Sequence, residues 1–149
     1  MKYYSKNVYK VVLSLVAMLS SCFVYAQIDS LLGNWRTVDD STDEIRSMVR
    51  IYKGQDNLYY GKIEKMYKYA DAVCDKCEDE NKNKPVLGLI IIIGMKAEGD
   101  VLKGGYVLDP ENGKKYFATI SFDKSSGKLK LRGSLDKRGL FGRNQYWIR

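Results

Sequence analysis

The chain has 149 residues, 25 of them basic and 18 acidic, for a formal charge of +7; a chain of this length fits one domain, since domains typically run to roughly 100–150 residues. It contains no histidine, which excludes His-based nucleophile activation and the commonest zinc ligand and leaves acid–base chemistry to carboxylates, lysine or tyrosine. No nucleic-acid-binding motif accompanies the positive charge, so nucleic acid is not an expected partner.

Residues 1–26 read as a targeting segment. Lys2, Lys6 and Lys10 stand there without an acid, ahead of an apolar run from Val11 to Leu19 broken by Ser14, with small and apolar residues continuing to Ala26. A basic start, a short apolar middle and small residues at the end describe a secretory signal peptide; a membrane span needs about 20 apolar residues. The expected cut follows Val24-Tyr25-Ala26 and leaves a domain over 27–149. The alternative is lipidation at Cys22, because Leu19-Ser20-Ser21-Cys22 resembles a lipobox. The protein is therefore expected to be exported: periplasmic, or outer-membrane-anchored if Cys22 is lipidated.

Beyond the signal, Ile28, Leu31 and Leu32 have the spacing of a short helical turn ended by Gly33. Short runs punctuated by glycine and charge then predict strands over Asn34–Val38, Arg46–Tyr52 and Leu58–Met66, the last two joined by Gly54-Gln55-Asp56-Asn57. Ser47, Val49 and Ile51 share one face, as do Tyr59, Gly61 and Ile63. The polar stretch Met66–Pro85 breaks this rhythm, and a connection so long is often functional. Val86–Met95 is a strand-length, almost wholly apolar run; such a strand must be covered on both faces, by the N-terminal turn, the preceding loop, a partner subunit or a lipid. Val101–Leu108 follows, with Gly104-Gly105 as a bulge or close-approach point. Asp109-Pro110-Glu111-Asn112-Gly113 is a strong turn signal. Lys115–Phe122 places Tyr116, Ala118, Ile120 and Phe122 on one face. Lys128–Arg132 turns Leu129 and Leu131 inward and Lys128, Lys130 and Arg132 outward, and Leu140–Arg149 supplies a last strand. About eight strands in a meander suit a closed antiparallel barrel, whose closure removes exposed edges and pairs the end strands near Trp35 and Trp147; a β-sandwich is the second choice.

Cys74 and Cys77 are the sharpest local feature. Half a zinc site without histidine is incomplete, and the setting lacks the helix a thioredoxin-like site requires. In an oxidising compartment a local disulfide is the default. The neighbouring acids Asp75, Glu78, Asp79 and Glu80 lack EF-hand spacing, so neither a metal nor another cofactor is expected. Asp39, Asp40, Asp43 and Glu44 read as a solvated turn.

A family resemblance rests on an ordered set of motifs. Gly33-Asn34-Trp35 opens the domain, followed by Cys74-Asp75-Lys76-Cys77 and Lys84-Pro85-Val86-Leu87-Gly88-Leu89. Gly104-Gly105, Leu108-Asp109-Pro110, Gly113-Lys114, Tyr116 and Leu131-Arg132-Gly133 come next, and Gly142-Arg143 with Trp147-Ile148-Arg149 closes the chain. This order resembles the exported bacterial proteins grouped as domain of unknown function 2147, which are similar in outline to lipocalin-like, or calycin, barrels. The resemblance implies an all-β fold, a single lipocalin-like barrel. It also implies a structural cation–π contact between Trp35 and an arginine of the last strand, Arg143 or Arg149. Ser134 departs from the pattern, which has an aromatic after the glycine. No established activity comes with the family.

The expected function is binding, without catalysis, of a small apolar or amphiphilic ligand or a protein partner. Tyr116 is a candidate lumen residue, and Arg132 and Arg143 are candidate contacts for an anionic ligand. The alternatives are a structural or assembly protein that dimerises through the apolar strand 86–95, and an enzyme of unknown type.

Overall fold

The computed structural model describes residues 28–149, together with Lys10 and Leu13. Apart from those two residues, the expected signal segment lies outside the described residues, with both Cys22 and the cut after Ala26. Eight strands follow one another in chain order: β1 (Gly33–Val38), β2 (Ile45–Lys53), β3 (Tyr59–Met66), β4 (Ile90–Glu98), β5 (Val101–Leu108), β6 (Lys115–Asp123), β7 (Lys128–Ser134) and β8 (Gly142–Trp147). Each pairs antiparallel with the next in one sheet. An additional bridge joins the ends: the Arg36 amide donates to the Ile148 carbonyl at 2.6 Å, and the Ile148 amide returns the bond at 3.0 Å. The sheet is thus a nearly closed up-and-down barrel rather than a sandwich, and its edges are largely removed.

The alternation read from sequence becomes the inside and outside of this barrel. Val49, Ile51, Ile63, Ala118, Ile120, Leu129 and Leu131 are buried, whereas Lys128 is exposed and Lys130 half-buried. Gly104-Gly105 is both things its sequence allowed. The register shifts between Lys103 and Gly105, Gly104 has φ +78°, and a Cβ on Gly105 would lie 2.8 Å from the Gly94 carbonyl carbon. The bulge therefore needs glycine at the first position for its left-handed backbone and at the second for space.

One strand differs from expectation. The apolar run 86–95 does not form a single strand, because β4 begins at Ile90. Val86 and Leu89 precede it in the connecting segment and are buried against the core. The Ile63 amide donates to the Leu89 carbonyl, and the Gly88 amide donates to the Ile63 carbonyl, each at 2.9 Å. The run is continuously apolar because its first half is a core-packed loop. Its second half is a bulged strand, with Ile91 and Ile92 both buried and Gly94 at φ +65°. The final strand is likewise shorter than Leu140–Arg149, since residues 135–141 turn the chain.

One end of the barrel is closed. Trp35, Val49, Ile51, Ile92, Met95, Leu102, Ile120 and Leu129 fill it, and all are essentially inaccessible. The turn at 28–32 plugs it: the Leu31 amide donates to the Ile28 carbonyl at 2.9 Å, and Ile28 and Leu31 are buried in the same core. Arg149 locks the plug. Its guanidinium lies 4.7 Å from the Trp35 ring centroid, and its Nη2 donates to the Ser30 carbonyl at 2.8 Å. The Trp35 indole N–H donates to the Leu31 carbonyl at 2.9 Å. Arg149, not Arg143, occupies the stacking position.

Candidate functional site

In an up-and-down barrel alternate turns lie at opposite ends. The connections 39–44, 67–89, 109–114 and 135–141 therefore share the end away from the plug. There the core gives way to a cavity of about 1050 Å³. Ile63, Ile91, Val107, Leu131 and Trp147 form its inner apolar wall, and Tyr116, Gln145 and Ser47 add polar groups. Gly133 on β7 also lines it: a Cβ placed there would stand 3.6 Å from both Tyr116 and Val107, in ordinary contact, with the rest of any longer side chain entering the open space.

The long connection 67–89 covers part of the mouth. It is pinned by the bridge Val73–Pro85 and by a disulfide between Cys74 and Cys77, whose Cα atoms are 5.2 Å apart. Both cysteines are buried, and Cys74 Sγ lies 3.4 Å from the Pro110 carbonyl oxygen. This connection thus docks on the turn 109–114. Gly113 sits at the joint with φ +74°, and a Cβ there would collide with the Lys76 carbonyl and stand 2.7 Å from the Cys77 amide nitrogen.

The neighbouring part of the lip is the turn 39–44, joined to the start of the connection by Lys68 and Glu44. Asp39 organises it by accepting hydrogen bonds from the Ser41 hydroxyl and amide, from the Thr42 amide and, at 2.6 Å, from Arg46 Nη2. The Ser41 hydroxyl and amide, then Arg46, hold the Asp39 carboxyl well below the usual carboxylate range, and Asp39 in turn raises the Arg46 guanidinium. Arg46 also lies over the Tyr69 ring, 5.2 Å from its centroid. Asp40 lines the mouth beside Asp39, 3.7 Å from Arg143 Nε.

Two donors lining the cavity have no protein acceptor among the described residues: Arg46 Nε and the indole N–H of Trp147. Trp147 is 2 % exposed, so its N–H is effectively cut off from bulk water. A buried donor left unpaired costs about 1–3 kcal/mol. Trp147 was expected to serve only barrel closure; it also lines the cavity.

The candidate ligand residues separate. Tyr116 lines the cavity, and its hydroxyl accepts from Asn112 Nδ2 at 3.1 Å. Arg143 lies at the mouth, largely exposed. Arg132 is not among the lining residues. It points away and is committed to the turn 135–141, its Nε donating to the Gly139 carbonyl at 2.9 Å and its Nη1 to Asn144 Oδ1 at 3.1 Å. Ser134 is tied to the same turn: it is buried there, and its hydroxyl donates to the Asp136 carbonyl at 2.8 Å, a bond an aromatic of the family pattern without a hydroxyl at that place would not make. Arg46 was missed by sequence reasoning, since nothing in the β2 alternation marks it. Among the described residues no three His, Cys, Asp or Glu side chains cluster as metal ligands.

A nearly closed eight-stranded barrel with one plugged end and a cavity at the other is a lipocalin-like architecture. The chain belongs to the family described as uncharacterized protein conserved in bacteria (DUF2147), whose model matches residues 33–149. Among solved structures it is similar to HP1028 from the human pathogen Helicobacter pylori, a protein described as belonging to the lipocalin family. The TM-score is 0.69 at 20% identity, covering 80% of this chain and 82% of that one. No curated protein matches the sequence.

Proposed function

We propose that the protein is an exported envelope protein that holds a small amphiphilic molecule in the barrel cavity, in the periplasm or at the outer membrane. The cavity carries this reading: about 1050 Å³ of space is walled by apolar side chains and bordered by the unpaired indole N–H of Trp147. Ligand sites are commonly cavities of roughly 300–1,000 Å³, mostly apolar with a few placed polar groups. An eight-stranded barrel can be filled by side chains or hold one small ligand, and here side chains fill only the plugged half.

The test is titration with N-phenyl-1-naphthylamine, a neutral apolar fluorophore, into the wild-type protein and a Gly133→Leu variant. The wild type should enhance the fluorescence saturably, and the variant, its isobutyl group projecting beside Tyr116 and Val107, should bind at least tenfold more weakly while keeping its thermal midpoint. No enhancement, or equal enhancement by both proteins, would sink the proposal.

A further inference from the structure

We propose that the mouth selects the charge of what enters: the favoured ligand is a cationic amphiphile, its apolar chain in the cavity and its positive end at the mouth beside Asp75 and Glu111. This rests on the cavity being a binding site.

The first observation is the distribution of charge. The whole chain is +7. The four connections at the mouth nevertheless contain twelve of its 18 acids and only seven bases, a net charge of −5. The excess of lysine and arginine resides on the strands and beyond them.

The second is how the mouth cations are used. Three bases line the cavity, and each has an acid of the turn 39–44 beside it. Arg46 is 2.6 Å from Asp39, and Arg143 is 3.7 Å from Asp40. Lys68 is 3.0 Å from Glu44. The charge of each cation is therefore already offset by the acid beside it, so a ligand carboxylate meets no uncompensated positive charge at the mouth, although Arg46 Nε has no acceptor among the described residues. Five acids line the cavity, and three of them, Asp75, Asp109 and Glu111, form no ion pair among the described residues; Asp109 is taken up within its own turn by the Glu111 amide and Asn112 Nδ2, which leaves Asp75 and Glu111. They belong to the two segments that dock through Cys74 and Pro110. Lys76, Lys82, Lys84 and Lys114 occur in the same segments but do not line the cavity, and Lys82 Nζ is bonded to the Asp75 carbonyl at 2.6 Å.

The third is the chemistry around these acids. Tyr69, Val73, Leu135 and Phe141 line the mouth and are exposed, giving an apolar lip to a site with acids on it. Deeper in, Trp147 lines the cavity, and its indole N–H is buried without an acceptor among the described residues, a second group left uncompensated in the absence of a ligand. A cleft lined by one sign of charge, with low-dielectric walls, concentrates counter-ions of the other sign. The apolar chain contributes equally whatever head group follows it, so the head-group charge decides between chains of equal length.

The test is displacement of bound N-phenyl-1-naphthylamine by decyltrimethylammonium, decanol and decanoate, each below its micellar range. In low salt the cation should bind about tenfold more tightly than decanoate, with decanol between, as expected for two net charges roughly 10 Å from the head group in a water-like dielectric. The gap should close toward 1 M salt, where the screening length is about 3 Å. Asp75→Asn combined with Glu111→Gln should narrow it to about threefold or less without altering decanol. Decanoate binding as tightly as the cation, or a preference indifferent to salt, would overturn the inference. Displacement by none of the three would also overturn it, while the fluorophore titration would still report separately on the cavity.

Discussion

Gly113 and Gly127 make a matched pair that isolates how firmly the disulfide-bearing connection is docked. Both have a left-handed backbone, φ +74° and φ +69°, and both end a turn between neighbouring strands. A Cβ on Gly127 would meet nothing within 4 Å, whereas one on Gly113 would collide with the Lys76 carbonyl. Gly127→Ala should therefore cost only the backbone term, about 1–2 kcal/mol. Gly113→Ala carries the same term plus an overpacking cost of about 1–3 kcal/mol, because the obstruction is main chain rather than a flexible side-chain tip. The alternative is for the segment to lift off, exposing Cys74, Cys77 and Val86, all now buried. Urea unfolding of the two variants against wild type reads the difference directly, and hydrogen exchange over residues 72–86 shows whether the segment has moved. Gly113→Ala should be less stable than Gly127→Ala by at least about 1 kcal/mol. Equal losses, with unchanged exchange over 72–86, would refute the docking argument.

Arg149→Ala should destabilise the barrel by about 1–2 kcal/mol, through loss of the Trp35 stack and the bonds to the plug, with exposure limiting the charge contribution. Arg149→Lys should recover less than half of that in thermal and urea melts, because an ammonium cannot stack and fork together. The Asp123 carboxyl is lowered to about 2, first by the Ser125 hydroxyl and then by that of Ser126, and hydrogen bonds also depress Asp39, Asp56 and Asp136. A depressed folded value stabilises above the unfolded one, near 3.9, and that contribution disappears as pH falls through the folded value. The thermal midpoint should thus drop between about pH 4 and pH 2, and Asp123→Asn should flatten the drop; an unchanged slope in that variant would contradict the assignment. Trp147→Phe should lie within about 1 kcal/mol of wild type, since removing an orphan donor offsets the lost burial of the smaller ring. Calorimetry showing a loss above that size would mean the N–H has a partner.

Inside and outside were legible because a strand alternates with period two, and Leu129-Lys130-Leu131 can be read only one way. The start of β4 was not. Val86–Leu89 is as apolar as Ile90–Ile93, and apolarity reports burial without saying whether the buried backbone is a strand or a loop pressed on the core. Arg132 was misleading for a related reason. A cation beside Leu131 and Gly133 looks equally available to solvent and ligand, and the carbonyl that claims it belongs to Gly139, in a turn whose path sequence does not fix. The acidic mouth, by contrast, was within reach. Once the chain is an eight-stranded meander, every second turn must share an end, and sorting the acids by turn parity exposes the asymmetry that a scan of chain segments averaged away. Arg132 and Arg143 point toward an anionic ligand only while the acids that share the mouth with Arg143 are left out of account.

The two tryptophans show where local pattern stops being informative. Each stands near an end strand, each is buried, and a closing barrel explains both equally well. Their N–H groups divide them. The Trp35 donor is satisfied by Leu31, and its ring is covered by Arg149, so every polar or polarisable feature of that side chain is used in closing the barrel. Trp147 pairs with Leu129 across β7 and β8, and among the described residues nothing accepts its proton. A phenylalanine would avoid that cost but fill less of the space, so the two effects of the substitution oppose each other at position 147. The boundary between plug and cavity therefore runs through Trp147: its side chain packs with the core below and lines the space above, and its N–H is buried there without an acceptor among the described residues.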